Sequence, residues 1–257
     1  MKRPPKELSE RDAKDIEAIK RTYNKSKGTY GSKHIAGELR ERKHVINHKR
    51  VARLMKEMNL TSRIRKAKLT RETRTNLTGY VYPNLLNRDF NALLPNTKWV
   101  MDLSEIKVEC EKIFISAIVD LFNRELVAIV LGSRPSYELV EATLVMAMSE
   151  RGLKKMTGIL LHTDQGSQFT SYLHNKQSKT LEFTPSMSRR ANCWDNAVME
   201  SVFSHYKTEF ELHYPMNNYA QVKIDLLLFR IYFNEERSQK RLGYKTPKAF
   251  LEAHLLS

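Results

Sequence analysis

LLHTDQGSQFTSYLHNKQSKTLEFTPSMSRRANCWDNAVMESVFSHYK, residues 160–207, is the stretch from which the rest of the chain can be read. An apolar run, Ile159-Leu160-Leu161, leads to His162 and then to Asp164 at its polar end. Gly166 follows and lets the chain turn at little steric cost. Thirty-five residues separate Asp164 from Glu200, which lies in a segment with helical spacing that begins near Trp194. A third acid, Asp102, stands upstream in WVMDLSEIK, residues 99–107. Asp102 and Asp164 each follow an apolar run, where a surface charge is not expected.

Outward from this stretch, Trp99 to Val108 alternates as a strand, with Val100, Asp102 and Ser104 on one face. Lys112 to Asp120 is apolar on both faces, as a central strand is. Asn123-Arg124 turns the chain into a third strand, Glu125 to Leu131, which predicts an antiparallel meander. A helix starts at Ser136, buries Leu139, Val140, Thr143, Leu144, Ala147 and Met148, and stops at Gly152. The strand Thr157 to His162 is reached by that crossover and is therefore expected to run parallel to its neighbour. A short helix, a brief strand near Leu181 to Thr184 and the Glu200 helix come next. Met199, Phe203, Tyr206 and Phe210 form a face of that helix that packs on the sheet. A long helix starting at Asn217 or Asn218 runs through Leu226, Phe229 and Phe233, and Thr246-Pro247 caps a last one. Three antiparallel strands followed by alternating helix and strand predict an α/β fold, a ribonuclease H-like mixed sheet flanked by helices.

Upstream, residues 9–58 read as three short helices capped by Ser9, Ser32 and Asn47. The third buries Val51, Leu54, Met55 and Met58 and shows Lys49, Arg50 and Arg53 on its other face. This pattern suits a small all-α helix-turn-helix, whose last helix enters the DNA major groove. Residues 61–95 read as a connector. Arg63, Arg65, Lys66, Lys68, Arg71 and Arg74 stand there against the single acid Glu72, a strip suited to a phosphate backbone. The expected domains are thus 1–60 (helix-turn-helix), 61–95 (basic linker) and 96–257 (catalytic core with C-terminal helices).

Net charge is +15, but residues 1–80 hold 23 Lys/Arg against 9 Asp/Glu, while the remainder holds 21 against 20. A polyanion docking on the first third is the physical inference. No apolar run of about 18 residues exists, so no membrane span is expected. The N-terminus, MKRPPKELSERDAKD, lacks a signal-peptide apolar region. Cys110 and Cys193 fall in no metal-ligand pattern, and a reducing cytoplasm is the simpler reading.

Phosphoryl transfer needs charge stabilisation and in-line geometry more than an activated side chain. Two Mg2+ ions about 4 Å apart serve it, and a few carboxylates from separate elements suffice to hold them, with Mn2+ as the substitute. Asp102, Asp164 and Glu200 meet that requirement. His162 is placed beside Asp164, either near a metal-bound water or as a satisfied structural histidine.

WVMDLSEIK, LLHTDQGSQFTS and SMSRRANCWDNAVMESVFSHYKTE resemble the three acidic motifs of insertion-sequence transposases with a retroviral-integrase-type catalytic core. The match is to the larger reading frame of two-frame elements. YGSKHIAGELRERKHVINHKRVARLM resembles the helix-turn-helix that precedes that core, and YFNEERSQKRLGYKTPKAF resembles the family's C-terminal end. The resemblance covers most of residues 20–252. It implies that Asp102 bridges both metal ions, with Asp164 and Glu200 each favouring one. It implies metal-dependent 3′-end nicking and strand transfer at terminal inverted repeats, without a covalent protein–DNA intermediate. Lys207, two helical turns after Glu200, suits a phosphate contact at the transposon end. Gln168 and Asn196 match motif positions and are expected at DNA or beside the acids. The implied partners are double-stranded DNA, further copies of the chain on that DNA, and the upstream-frame product or a frameshift fusion with it, in a bacterial cytoplasm at the nucleoid. Two departures stand out: Ala191 where the family has glycine, and no coiled-coil segment of the upstream frame. A DNA-binding regulator without catalysis and a general ribonuclease H-like nuclease are the rival readings.

Overall fold

The structure is a computed structural model and describes residues 10–62, 79–108, 111–190, 192–209 and 219–256. The connector cations Arg63, Arg65, Lys66, Lys68, Arg71 and Arg74, the cap Ser9 and the positions Cys110, Ala191, Phe210, Asn217 and Asn218 lie outside the described residues. The chain divides into two compact units, one of the N-terminal helices together with Arg237–Lys245, the other of the core up to Glu236 and again from Thr246. The sequence reading had 237–245 among the core's C-terminal helices.

The first unit holds α1 (Glu10–Lys25), α2 (Ser32–Glu41) and α3 (His48–Glu57). Ile19, Ile35, Leu39, Val51 and Leu54 interlock as its apolar centre. Asn47 caps α3 as expected, accepting the Lys49 N–H. Ser32 does not cap α2; it is the first helical residue, and Gly31 holds the cap position without a side-chain bond. The segment Arg237–Lys245 folds back on α2 through a short 3-10 turn, Lys240–Leu242. Ser238 donates to Glu38 (3.1 Å), and His34 Nε2 lies 3.1 Å from the same hydroxyl. The Tyr244 ring lies against Gly37 so closely that a Cβ there would fall 1.9 Å from Cζ. Glycine is required at 37 because the ring occupies the place of a side chain.

The second unit is built on a five-stranded sheet of order β3-β2-β1-β4-β5. The strands are β1 (Lys98–Val108), β2 (Glu111–Asp120), β3 (Leu126–Gly132), β4 (Leu160–Thr163) and β5 (Thr184–Met187). β1, β2 and β3 form the antiparallel meander, and β4 and β5 add in parallel, the mixed sheet expected. β4 begins three residues later than its apolar pattern suggested, and β5 follows the predicted position rather than covering it. In both cases tight pairing starts only where the neighbouring strand is available: Leu160 meets Lys98 and Thr184 meets Leu160.

Helices α4 (Tyr137–Glu150) and α5 (Tyr172–Leu181) come before and after β4, and α4 packs on the sheet face bearing Trp99, Met101 and Ile118. Helices α6 (Ala197–Glu209) and α7 (Tyr219–Ile231) cover the other, where Val100, Ile115 and Ala117 meet Met199, Phe203, Tyr206 and Phe229. A 3-10 turn, Cys193–Asn196, leads into α6, and a π turn, Tyr232–Glu236, follows α7. Thr246 caps α8 (Pro247–Leu255) with Pro247 in its first turn, as read. Residues 79–95 are irregular but anchored: Leu86 is buried, and the Leu85 and Leu86 N–H groups bond Ser186 Oγ. Among the described residues no helix is long and apolar enough to cross a membrane.

Candidate active site

Strand register brings the two aspartates together. In the parallel β1–β4 pair Val100 faces His162, and two residues further along each chain stand Asp102 and Asp164. Adjacent strands lie about 4.8 Å apart, and side chains two apart share a face. Val100 packs against α6, so Asp102 and Ser104 point to the side of the sheet that α6 covers. Lys207 on α6 confirms this by donating to Ser104 Oγ at 2.6 Å. Glu200 sits two helical turns before Lys207, between the buried Met199 and Phe203, and points outward.

Asp102 feels the charge of both other acids. Burial pushes the Asp102 carboxyl well above the usual range. The charge of Asp164 adds to this, the Leu103 N–H opposes it, Glu200 adds again and Lys207 opposes. Burial also raises Asp164, against the Gly166 N–H, and raises Glu200. Asp102 accepts the Leu103 N–H (2.7 Å) and Asp164 the Gly166 N–H (2.9 Å). Further oxygens of both, and the Glu200 carboxylate, are left for other ligands among the described residues. Such a donor set fits a hard divalent cation that keeps several waters. The three do not close into a cage: among the described residues no three His, Cys, Asp or Glu side chains converge tightly enough to hold an ion.

Other expected site residues are placed as follows. Gln168 folds its amide over Gly166, where a Cβ would lie 2.2 Å from Nε2, so it flanks the Asp164 turn. Asn196 ends the 3-10 turn one helical turn before Glu200; its amide is buried and neither atom has a hydrogen-bond partner among the described residues. Lys49 is exposed on α3. Arg50 and Arg53 are engaged in ion pairs within their own unit. Arg50 pairs with Asp12 (2.9 Å) and Asp15 (2.8 Å), and Arg53 with Asp12 (3.0 Å) and Glu57 (2.8 Å).

His162 is the structural histidine of the two alternatives. It is fully buried, with Nε2 3.1 Å from the Asp195 carbonyl and Nδ1 2.9 Å from Ser186 Oγ. A carbonyl only accepts, so Nε2 carries the hydrogen and Nδ1 receives that of Ser186. Burial lowers its pKa to about 4. The sequence reading passed over Asp195. Its carboxylate is buried and is held below the usual range, first by the Arg189 guanidinium. A buried acid whose partners are Arg189, six residues before it, and the remote Arg88 leaves no periodic signal.

The HTH-like domain family matches residues 10–68, and two integrase core domain families match 92–193 and 181–247. The putative transposase InsK for insertion sequence element IS150 of Escherichia coli (strain K12) is 35% identical over 89% of this chain and 80% of its own length. The transposase for insertion sequence element IS904 of Lactococcus lactis is 32% identical over 97% of each. The simian T-cell lymphotropic virus intasome structure is similar in fold, with a TM-score of 0.51, 14% identity, and 79% of this chain and 70% of that one covered. With relatives of this identity aligned along nearly its whole length, the chain belongs to the insertion-sequence transposases with an integrase core domain.

Proposed function

We propose that the chain nicks DNA at the terminal inverted repeats of its element and joins the freed 3′-hydroxyl to a second DNA strand, at a site made by Asp102, Asp164 and Glu200. The observation that supports this is the β1–β4 register, in which Val100 pairs with His162, each two residues before an aspartate, Asp102 in β1 and Asp164 just past the end of β4. Asp102 and Asp164 would hold Mg2+, with Glu200 completing the set from α6, and Mn2+ would substitute. When bound, two such ions offset the negative charge of the phosphate and align the attacking and leaving oxygens.

The chain's own residues orient the reactants. In the first step water attacks phosphorus and the bond to the 3′-oxygen breaks; that oxygen leaves as the hydroxyl. In the second, this hydroxyl attacks a target phosphodiester and displaces another 3′-oxygen. Lys207, held by Ser104, keeps a positive charge beside Asp102 and within reach of a strand on α6. Gln168 and Asn196 flank the acids, Gln168 as a DNA contact and Asn196, its amide buried, as a positioning residue, and Lys49 with the connector cations Arg63, Arg65, Lys66 and Lys68 holds the end. The ion pairs of Arg50 and Arg53 fix α3 on α1 and orient the face that reads DNA. Several copies would act together on DNA, alone or with the upstream-frame product or a fusion to it, in the bacterial cytoplasm.

Asp164→Asn should abolish strand joining in Mg2+ while end binding stays. Undiminished joining would reject the assignment. A second reading, an end-binding protein without catalysis, is favoured by the open arrangement of the three acids. Tight end binding without nicking in Mg2+ or Mn2+ would establish it.

A further inference from the structure

We propose that Asp195 is a positioning residue for this reaction: it fixes the start of α6, and with it Glu200, against the strand that leads to Asp164. The inference rests on the function proposed above and names a residue that function does not use directly.

Glu200 accepts no hydrogen bond from the described residues, so its approach to the aspartates is set by where α6 lies. The later turns of α6 are held by apolar packing and by polar bonds from Lys207 to Ser104 (2.6 Å) and from Tyr232 to Glu209 (2.9 Å). The 3-10 turn that leads into it, Cys193–Asn196, is held by a denser set of directional polar bonds. Asp195, fully buried, accepts five of them from three residues. Asn84 Nδ2 donates at 2.9 Å and Arg88 Nε at 2.7 Å from the stretch before β1. Arg189, just past β5, donates its backbone N–H at 3.1 Å and Nε and Nη2 at 2.9 Å each. Bonds between ionised partners are roughly twice as strong as neutral ones and more exacting in direction.

The backbone carbonyl of Asp195 closes the link to the other acid. It accepts from His162, whose ring is held in one tautomer by Ser186, and Ser186 in turn accepts the Leu85 and Leu86 N–H groups. His162 stands two residues before Asp164, and Asp195 five before Glu200. The path between the two acids thus runs through one imidazole and one carbonyl, with no freely rotating group along it. Partners that orient a metal-binding group typically govern metal affinity by about 10–100-fold when they are removed.

The test is Asp195→Asn in the full chain, which keeps the shape and removes the charge. End binding is measured by fluorescence anisotropy without metal. Mg2+ is then titrated two ways: strand joining under single turnover, and the fluorescence of Trp194 in the DNA-bound protein. Trp194 is 70% exposed and adjoins Asp195, while the other tryptophan, Trp99, is buried. The expected result is a half-saturating Mg2+ concentration raised by about 10-fold in both titrations, end binding within twofold of the parent, and joining partly restored at high Mg2+. Arg189→Gln, at a side chain 55% exposed, keeps the backbone bond to Asp195, has its melting temperature measured alongside, and should shift the midpoint in the same direction by less. Wild-type midpoints in both variants would overturn the proposal. So would a loss of melting temperature and end binding in Asp195→Asn with an unshifted midpoint in Arg189→Gln, which would make Asp195 a scaffold residue only. Asp164→Asn, run alongside, separates the cases. If it loses joining while the Asp195 variant is unchanged, the proposed function stands and this inference fails. A parent chain that binds ends without any response to Mg2+ removes both.

Discussion

Replacing His174 by leucine should abolish a proton uptake that accompanies unfolding of the core. His174 lies on α5 at 1% exposure, edge-on to Phe169 (centroids 5.7 Å) and tilted against Phe183 (5.6 Å), and its Nδ1 has no hydrogen-bond partner among the described residues. Burial lowers its pKa from 6.5 to about 4. Between these values the folded protein keeps the ring neutral while the unfolded chain is protonated, so unfolding takes up a proton. The stability is fully present above pH 6.5 and falls as pH drops, by about 1.4 kcal/mol per unit, reaching about 3 kcal/mol at pH 4. Leucine does not titrate and suits the aromatic surroundings. Asp102, Asp164 and Asp120, which folding raises, shift stability in the opposite sense on acidification, but they are common to both proteins and cancel in the comparison. Urea unfolding followed by the fluorescence of buried Trp99, at pH 7.5 and 4.5, should show the variant gaining about 2–3 kcal/mol on the parent between the two. An equal difference at both values would refute the argument that burial keeps this imidazole neutral.

Three further outcomes follow from other contacts. Lys207→Gln removes the charge that opposes the rise of Asp102, so the acid limb of a joining-rate profile should move to higher pH; a limb that stays in place would separate Lys207 from Asp102. Gly37→Val forces a side chain into the Tyr244 ring and should cost about 1–3 kcal/mol by thermal melting. Combining it with Tyr244→Ala should recover part of that loss, and strict additivity would show that the two do not touch. Asn47→Ala deletes the cap on α3 and should lower stability by about 1 kcal/mol without altering strand joining on a pre-nicked end at saturating DNA.

The sheet was legible because burial on one or both faces writes a period into the sequence. β1 alternates, β2 is apolar throughout, and a crossover helix requires the parallel partner that β4 provides. Asp102 and Asp164 were legible for the same reason: each interrupts a pattern that otherwise predicts burial. Glu200 and Lys207 share a helix face, and their spacing alone places them on one side of α6. The fate of Arg50 and Arg53 was not legible. Both lie on the solvent side of α3, and only the packing of α1 brings Asp12 and Asp15 within reach. Asp195 escaped for the converse reason: WDN looks like a solvated turn until Asn84 and Arg88 arrive from a distant part of the chain to join the nearby Arg189. The start of β4 was misjudged because Ile159 continues its apolar run, while Gly158 turns just before it with a φ of +83°.

The return of Arg237–Lys245 to the helical unit governs how this protein can be dissected. A cut near residue 60 would not release a finished DNA-reading module. It would strip α2 of the tyrosine ring lodged at Gly37 and leave Glu38 without the hydroxyl of Ser238. The complementary fragment would carry Leu242 and Tyr244 into water with nothing to cover them. A soluble recognition module should therefore require the nine late residues to be spliced back, through a linker, to the three early helices.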